Sequence, residues 1–349
     1  MTTSQRTMRR VIVSADHDAA VQQVPVPVPA TGEALVQMTS AGVCGSDTHA
    51  LHGRHPFISL PYAPGHEVIG TVRAVADGVT EVRVGNRVTV EPTLPCWDCK
   101  QCRAGRQNLC ENLGFFGCGY LQGGMADFFT IAANRLHVVP DDLDDRQAIL
   151  IEPLSTPVHA VRLAGPLDGK SVAILGAGTI GLLVLATALH HGASRVVVTD
   201  VLESKRKRAL RLGAYTVVDA GRPDAVEAVR EALGESADVV FDCVAVQQTV
   251  SQAVALALKG GTVVIVGVPS ADVIIPLALL QDQQVRIQGS ATYLPEDYRE
   301  AIEILAAGKV RPQDFITAVY PLDQVSEAFA ASTGGKHVKV ILTSSDVLL

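Results

Sequence analysis

No stretch of this 349-residue sequence is both apolar and long enough to cross a bilayer. The longest apolar runs, such as IGLLVLATAL at 180–189, fall short of the roughly 20 residues that a spanning helix needs. The N-terminal MTTSQRTMRR runs into VIVSADHDAA rather than into a continuous apolar signal core, so no secretory signal is read and a cytoplasmic protein is expected. An excess of positive charge is also missing. Lys and Arg number 29 against 36 Asp and Glu, for a formal net charge of -7. Aromatic residues make up only 4%, with one tryptophan, and they do not cluster. An acidic balance with scattered aromatics argues against a nucleic-acid binder and for a small-molecule partner. The basic run SKRKRA at 204–209 reads as a solvated helix face. There is no internal repeat and no low-complexity tract. With 48% hydrophobic and 19% charged residues, the composition is that of a folded α/β protein, and the length allows two domains.

Against these absences stand seven cysteines, four of them in one run, CWDCKQCRAGRQNLC. Cys96, Cys99, Cys102 and Cys110 form a C-x2-C-x2-C-x7-C pattern. Four thiols so close in sequence can surround one tetrahedral zinc, and soft thiolates favour that metal. Disulfides would need an oxidising compartment, for which no signal is read.

The texture of the chain changes along its length. Up to about Ala133, short β-branched runs such as VIGTVRAV, NRVTVEP and DFFTIAA alternate with Gly, Pro, Asn and Asp, as in a β-rich, barrel-like domain. From about Lys170, apolar strands (SVAIL, SRVVVTD, ADVVFDCV, GGTVVIVGV) alternate with helical stretches, which predicts a doubly wound parallel sheet. After Gly289 an amphipathic helix (EDYREAIEILAAGKV), a second helix and the closing strand HVKVILTS break that alternation and are expected to rejoin the first domain.

Gly176, Gly178 and Gly181, with Thr179 and Ile180 among them, match G-x-G-x-x-G directly after the strand VAIL. The first glycine permits a tight turn and the second lets the backbone approach a pyrophosphate. The third allows close helix–strand packing. Asp200 closes the next strand, where a carboxylate can accept from ribose hydroxyls and repel a 2′-phosphate, favouring NAD over NADP. Lys205 and Arg206 lie close behind and pull the other way. Lys205, Val244, Gly267 and Val268 complete the candidate cofactor set. Upstream, Cys44 in AGVCGSDTH and the Gly65-His66-Glu67 segment supply a thiol, an imidazole and a carboxylate. Catalytic zinc sites use such mixtures and leave a position for water or substrate.

The segments VCGSDTH, PGHEVIG, the four-cysteine run, LIEPLST and GAGTIG occur in this order over nearly the whole chain. Together they resemble the zinc-dependent medium-chain dehydrogenase/reductase family, in its sorbitol dehydrogenase-like branch. The resemblance implies an α/β fold with a GroES-like catalytic domain at 1–154 and 291–349, and a Rossmann domain at 155–290. It implies two zinc ions per chain. One would be catalytic, with ligands drawn from Cys44, His66, Glu67 and Glu152; the other would be structural, in a cysteine lobe near 93–113. In the sorbitol branch Glu67 coordinates while Glu152 lies nearby or holds a water, and which of the two binds here stays open. The resemblance also implies that Asp47 orients the histidine ligand, and that Ser46 and His49 relay a proton outward. By the same token Thr156 would line the nicotinamide and Lys339 would meet the pyrophosphate. Cys118, in GFFGCGY, could line the substrate cleft or simply pack.

Sorbitol dehydrogenases carry an Arg-Tyr pair after a Gly-Ser; here Thr292 precedes Tyr293, and the lost donors weaken the case for a hexitol. The expected substrate is a secondary alcohol of a polyol, a vicinal diol or a cyclitol, with L-threonine or a simple secondary alcohol as the alternative. A homotetramer is expected by resemblance, with a dimer as the other possibility.

Overall fold

A computed structural model describes residues 6–119 and 122–344. The first five residues of the N-terminal segment read above lie outside this range, as do residues 120 and 121. The chain divides into Met1–Glu152 with Arg311–Leu349 as one unit, and Pro153–Val310 as the other.

The first unit is built on a seven-stranded sheet. Its main path runs Ile316–Pro321, Lys339–Thr343, Glu33–Val43, Glu67–Val75, Arg87–Val90 and Leu136–Val138, with Phe128–Ala132 also paired to Glu33–Val43. In Glu33–Val43 every second residue (Ala34, Val36, Met38, Ser40) is buried, the period-two pattern of a strand with one covered face. Lys339–Thr343, near the end of the chain, runs antiparallel to this strand, with Val340 opposite Val43 and Ile341 opposite Gly42. Gly42 also stands opposite Glu67 on the other side. Three distant segments are thus brought into register at one place. The core beneath them is formed by Val36, Met38, Val68, Phe129, Phe329 and Leu342, among others.

The second unit holds six parallel strands in the order Thr216–Asp219, Arg195–Asp200, Ser171–Leu175, Ala237–Asp242, Ala257–Ile265 and Arg286–Gly289. Strand order reverses between Ser171–Leu175 and Ala237–Asp242, the switch point where doubly wound sheets bind ligands at their carboxyl ends. All five residues of Ser171–Leu175 are buried, as a strand covered on both faces requires. Helix Ala225–Leu233 buries Ala225, Val229 and Leu233 at helical spacing and ends on Gly234 in the left-handed region.

Residues 291–310 differ from expectation. They belong to the second unit, not the first. Helix Pro295–Ala306 is tied there by a buried hydrogen bond, His159 Nδ1 to Asp297 Oδ2 at 2.9 Å, and by Arg162 donating to Glu300 at 3.0 Å. Asp297 also accepts from the Leu294 N–H at 2.6 Å, fixing the helix start. The loss of strand–helix alternation after Gly289 marks the end of the sheet; it does not mark the end of the unit. Among the described residues no helix is long and apolar enough to cross a membrane.

Candidate active site and nucleotide site

In the first unit, Cys44 follows the end of strand Glu33–Val43 and caps the short helix Gly45–Leu51; its N–H donates to Asp47 Oδ2 at 3.1 Å. Glu67 opens strand Glu67–Val75, and His66 precedes it. One ligand atom each from Cys44, His66 and Glu67 lies within 4.8 Å of the others. His66 and Glu67 are almost wholly buried. Gly42 makes room for this arrangement, since a Cβ there would sit 1.9 Å from Glu67 Oε2.

The donor set fits a zinc ion. A thiol, an imidazole and a carboxylate, the donor types of mixed zinc sites, meet in one buried pocket. Burial alone would lower the His66 pKa, yet Cys118, Asp47 and Cys44 together hold it well above its usual value. Desolvation likewise pushes the buried Asp47 carboxyl upward, partly offset by His66. Glu152, on helix Ile151–Ala164, is buried but is not part of the three-residue convergence. Its charge is nonetheless felt at Lys339.

Lys339 is placed differently from its expected role at a pyrophosphate. Its ammonium is buried, 2.6 and 2.7 Å from the two oxygens of Glu67. Burial works against its charge, and Glu67, Cys44 and Glu152 more than compensate, raising its pKa. The strand pairing that sets Lys339–Thr343 beside Glu33–Val43 carries this residue to the convergence of Cys44, His66 and Glu67.

Asp47 accepts from the Tyr62 hydroxyl at 3.1 Å, but its Oδ1 stands 3.9 Å from His66 Nδ1, beyond hydrogen-bond reach. Ser46 is half-buried and His49 exposed. The two lie three residues apart on one helix and so share a face. Partial desolvation, followed by Arg54 and His52, lowers the His49 pKa.

The four cysteines converge as expected: one sulfur from each of Cys96, Cys99, Cys102 and Cys110 lies within 4.8 Å of the rest. Cys99 and Cys110 sulfurs are 3.9 Å apart, far beyond a disulfide bond of about 2.05 Å. Main-chain N–H groups point at the sulfurs, from Cys96 to Cys110 at 3.2 Å, from Cys99 to Cys96 at 3.4 Å and from Asn112 to Cys110 at 3.3 Å. Such donors stabilise thiolates, and those of Cys102 and Glu111 bring the Cys99 thiol down to about 6. This is a cluster of four sulfurs, a donor set suited to a structural zinc. Arg135 braces it, lying 5.6 Å from the Trp97 ring centre while pairing with buried Glu91. Glu91 is held in turn by Thr93 at 3.1 Å and His137 at 2.8 Å.

In the second unit the glycine loop has the geometry its sequence demands. Gly176 has φ 95°, and a Cβ on Gly181 would lie 1.9 Å from the Gly176 carbonyl oxygen. Gly178 precedes helix Thr179–His190 and has open space where a Cβ would be. That helix N-terminus, at the sheet's switch point, offers free N–H groups to an anionic phosphate. Asp200 ends its strand as expected, accepting from the N–H of Ala177 and of Leu202, both at 2.9 Å. Arg206 is committed elsewhere, to the Asp200 and Val201 carbonyls at 2.8 and 2.9 Å and to Asp219 at 3.1 Å. Lys205 is half-buried. Beyond the strand ends, Val244 is 40% and Val268 47% exposed, apolar side chains of the kind that receive flat rings; Gly267 packs against the Val244 backbone. Thr156 lies half-buried on helix Ile151–Ala164. The residues of this unit fit a dinucleotide.

The alcohol dehydrogenase GroES-like domain model matches residues 30–141, and the zinc-binding dehydrogenase model matches residues 179–307. Sorbitol dehydrogenase of Ovis aries is 32% identical, over 95% of each chain. An Aspergillus clavatus protein assigned as D-xylulose reductase A is 31% identical over 98% of this chain and 99% of that one. Among solved structures, a Sinorhizobium meliloti protein assigned as a zinc-binding dehydrogenase and bound to NADP superposes with a TM-score of 0.91 at 34% identity, covering 97% of this chain and 100% of the other.

Proposed function

The chain belongs to the zinc-dependent medium-chain alcohol and polyol dehydrogenase family and is an oxidoreductase; on that premise we propose that it moves hydride between NAD and a secondary alcohol carbon of a polyol or vicinal diol. The observation that carries this reading is the buried convergence of Cys44, His66 and Glu67 in a chain that has Glu152, not cysteine, as its next candidate ligand.

Cys44, His66 and Glu67 would hold the catalytic zinc, with Glu152 as the alternative carboxylate, and Cys96, Cys99, Cys102 and Cys110 would hold a second, structural zinc. Bound in the first site, zinc would supply Lewis acidity toward an alcohol hydroxyl, and a dinucleotide held in the second unit would supply the hydride acceptor. Lys339 balances the Glu67 charge, so that the pocket does not accumulate anions without a counter-charge. Ser46 accepts the proton of the substrate hydroxyl and passes it outward toward His49, whose lowered pKa keeps the imidazole neutral and receptive. Asp200 favours NAD, because a 2′-phosphate would meet its carboxylate, and Arg206 is already engaged. The NADP-bound relative makes that preference the point to measure.

Thr292 in place of an arginine removes donors that would grip a long polyol, which favours short diols, cyclitols or pentitols over hexitols. A homo-oligomer, a tetramer or a dimer, fits the exposed apolar side chains of Ile274 (80% exposed) and Leu277 (73%), and a cytoplasmic location is part of the same reading. The test is a panel of polyols, vicinal diols and L-threonine with NAD and NADP, scored by kcat/KM. A polyol or diol with NAD should lead. L-threonine as the best substrate, or a strong preference for NADP, would overturn the corresponding part of the reading.

A further inference from the structure

We infer that Cys118 is the positioning partner of His66, accepting the Nδ1 proton and thereby fixing which ring nitrogen faces the metal. The inference rests on the reading of Cys44, His66 and Glu67 as a zinc site. Cys118 Sγ lies 3.5 Å from His66 Nδ1, an ordinary distance for a hydrogen bond to sulfur. The carboxylate expected in this role is further away, with Asp47 Oδ1 at 3.9 Å, and it is already engaged by the Cys44 N–H and the Tyr62 hydroxyl.

The surrounding loop is shaped to hold that sulfur in place. Gly117 and Gly119 have φ 73° and 80°, conformations that put the cysteine between two left-handed turns. The Gly117 backbone lies directly on the histidine segment. A Cβ there would be 2.3 Å from the Gly65 carbonyl oxygen and 2.8 Å from the His66 nitrogen. The loop is closed by Cys118 N–H donating to the Phe115 carbonyl at 3.1 Å and Gly117 N–H to that of Gln122 at 3.2 Å. The Phe115 ring meets the imidazole edge-on at 5.6 Å. One loop therefore supplies His66 with a wall, a close backbone contact and a hydrogen-bond partner.

The chemistry follows from the imidazole. A neutral ring that gives one nitrogen's lone pair to a metal carries its proton on the other, and in a buried pocket that N–H needs an acceptor. With Nδ1 on Cys118, Nε2 is left as the ligand atom. Removing such a partner lowers metal affinity by about 10–100-fold.

The experiment compares full-length protein with Cys118→Ser and Cys118→Val, measuring zinc stoichiometry, zinc affinity by chelator competition, and melting of the zinc-loaded form. Cys118→Ala replaces valine if the latter does not fold. The expected result is a weakening of one of two zinc sites by about 10–100-fold in the apolar variant, with most of the affinity kept in Cys118→Ser, whose hydroxyl still accepts. Wild-type affinity in the apolar variant overturns the inference. So does complete loss of one zinc equivalent in both variants, which would make Cys118 a ligand, or an equal fall in both that tracks melting, which would make it packing. Wild-type protein that takes up only one zinc per chain overturns the underlying assignment of the metal site instead.

Discussion

The ammonium of Lys339 sits between the two oxygens of Glu67, at 2.6 and 2.7 Å, with both residues almost wholly buried. The pair joins the start of strand Glu67–Val75 to the start of strand Lys339–Thr343, and Gly42 leaves space for the carboxylate. Removing one partner of a buried pair strands the other charge and costs about 3–5 kcal/mol. A bound divalent cation would supply the missing charge. Lys339→Met should therefore lower the melting temperature of zinc-free protein markedly, and that of zinc-loaded protein much less. The double variant Lys339→Met with Glu67→Gln should recover much of the loss. Equal destabilisation with and without zinc would show that the pair is independent of the metal.

Glu152 stands outside the converging set but close enough to influence Lys339. On the proposed reading its carboxylate serves the reaction rather than the fold. Glu152→Ala, verified as folded and loaded with two zinc equivalents, should lose about 10–100-fold in kcat, with little change in melting temperature. Full turnover in that variant would remove Glu152 from the site.

The cysteine cage should behave in the opposite way. Cys102→Ser should lose one zinc equivalent and several kcal/mol of stability, about the scale of a structural metal contact. The fraction that stays folded and assembled should keep its kcat. If instead a folded, assembled Cys102 variant cannot transfer hydride, the roles of the two metals are reversed.

How far each feature is legible in the sequence varies with the range of its cause. The glycine loop was legible because single residues carry the constraint. Only glycine suits φ 95° at position 176, and only glycine at 181 lets the helix approach the carbonyl of Gly176. The cysteine cage was legible because its spacing is local. The Lys339–Glu67 pair spans 272 positions and is produced by a strand pairing that nothing near Lys339 announces. Cys118 had the same difficulty: two flanking glycines signal a tight loop, but its neighbour His66 comes from another strand start. Residues 291–310 are hard to place from sequence because the end of the sheet is not the end of the unit, and the His159–Asp297 pair that keeps them is long-range.

The lowered His49 pKa sets a pH expectation. Partial desolvation, with Arg54 and His52, disfavours the protonated ring, so the neutral form persists below the ordinary value of about 6.5. In the proposed relay, alcohol oxidation needs that neutral form to accept a proton. Its rate should fall only as pH drops below that value, through the folded-state pKa. His49→Gln should abolish this acid limb and slow oxidation over the whole range; an unchanged profile would exclude His49 from the relay.

The most direct measurement is NADH formation from a polyol or vicinal diol by zinc-loaded, zinc-stripped and zinc-restored protein, with metal content counted in each. The expected result is two zinc equivalents in the active form, loss of turnover when the more labile one is chelated, and recovery when it is returned. Turnover that survives complete metal removal would contradict the assignment of the reaction to Cys44, His66, Glu67 and Glu152.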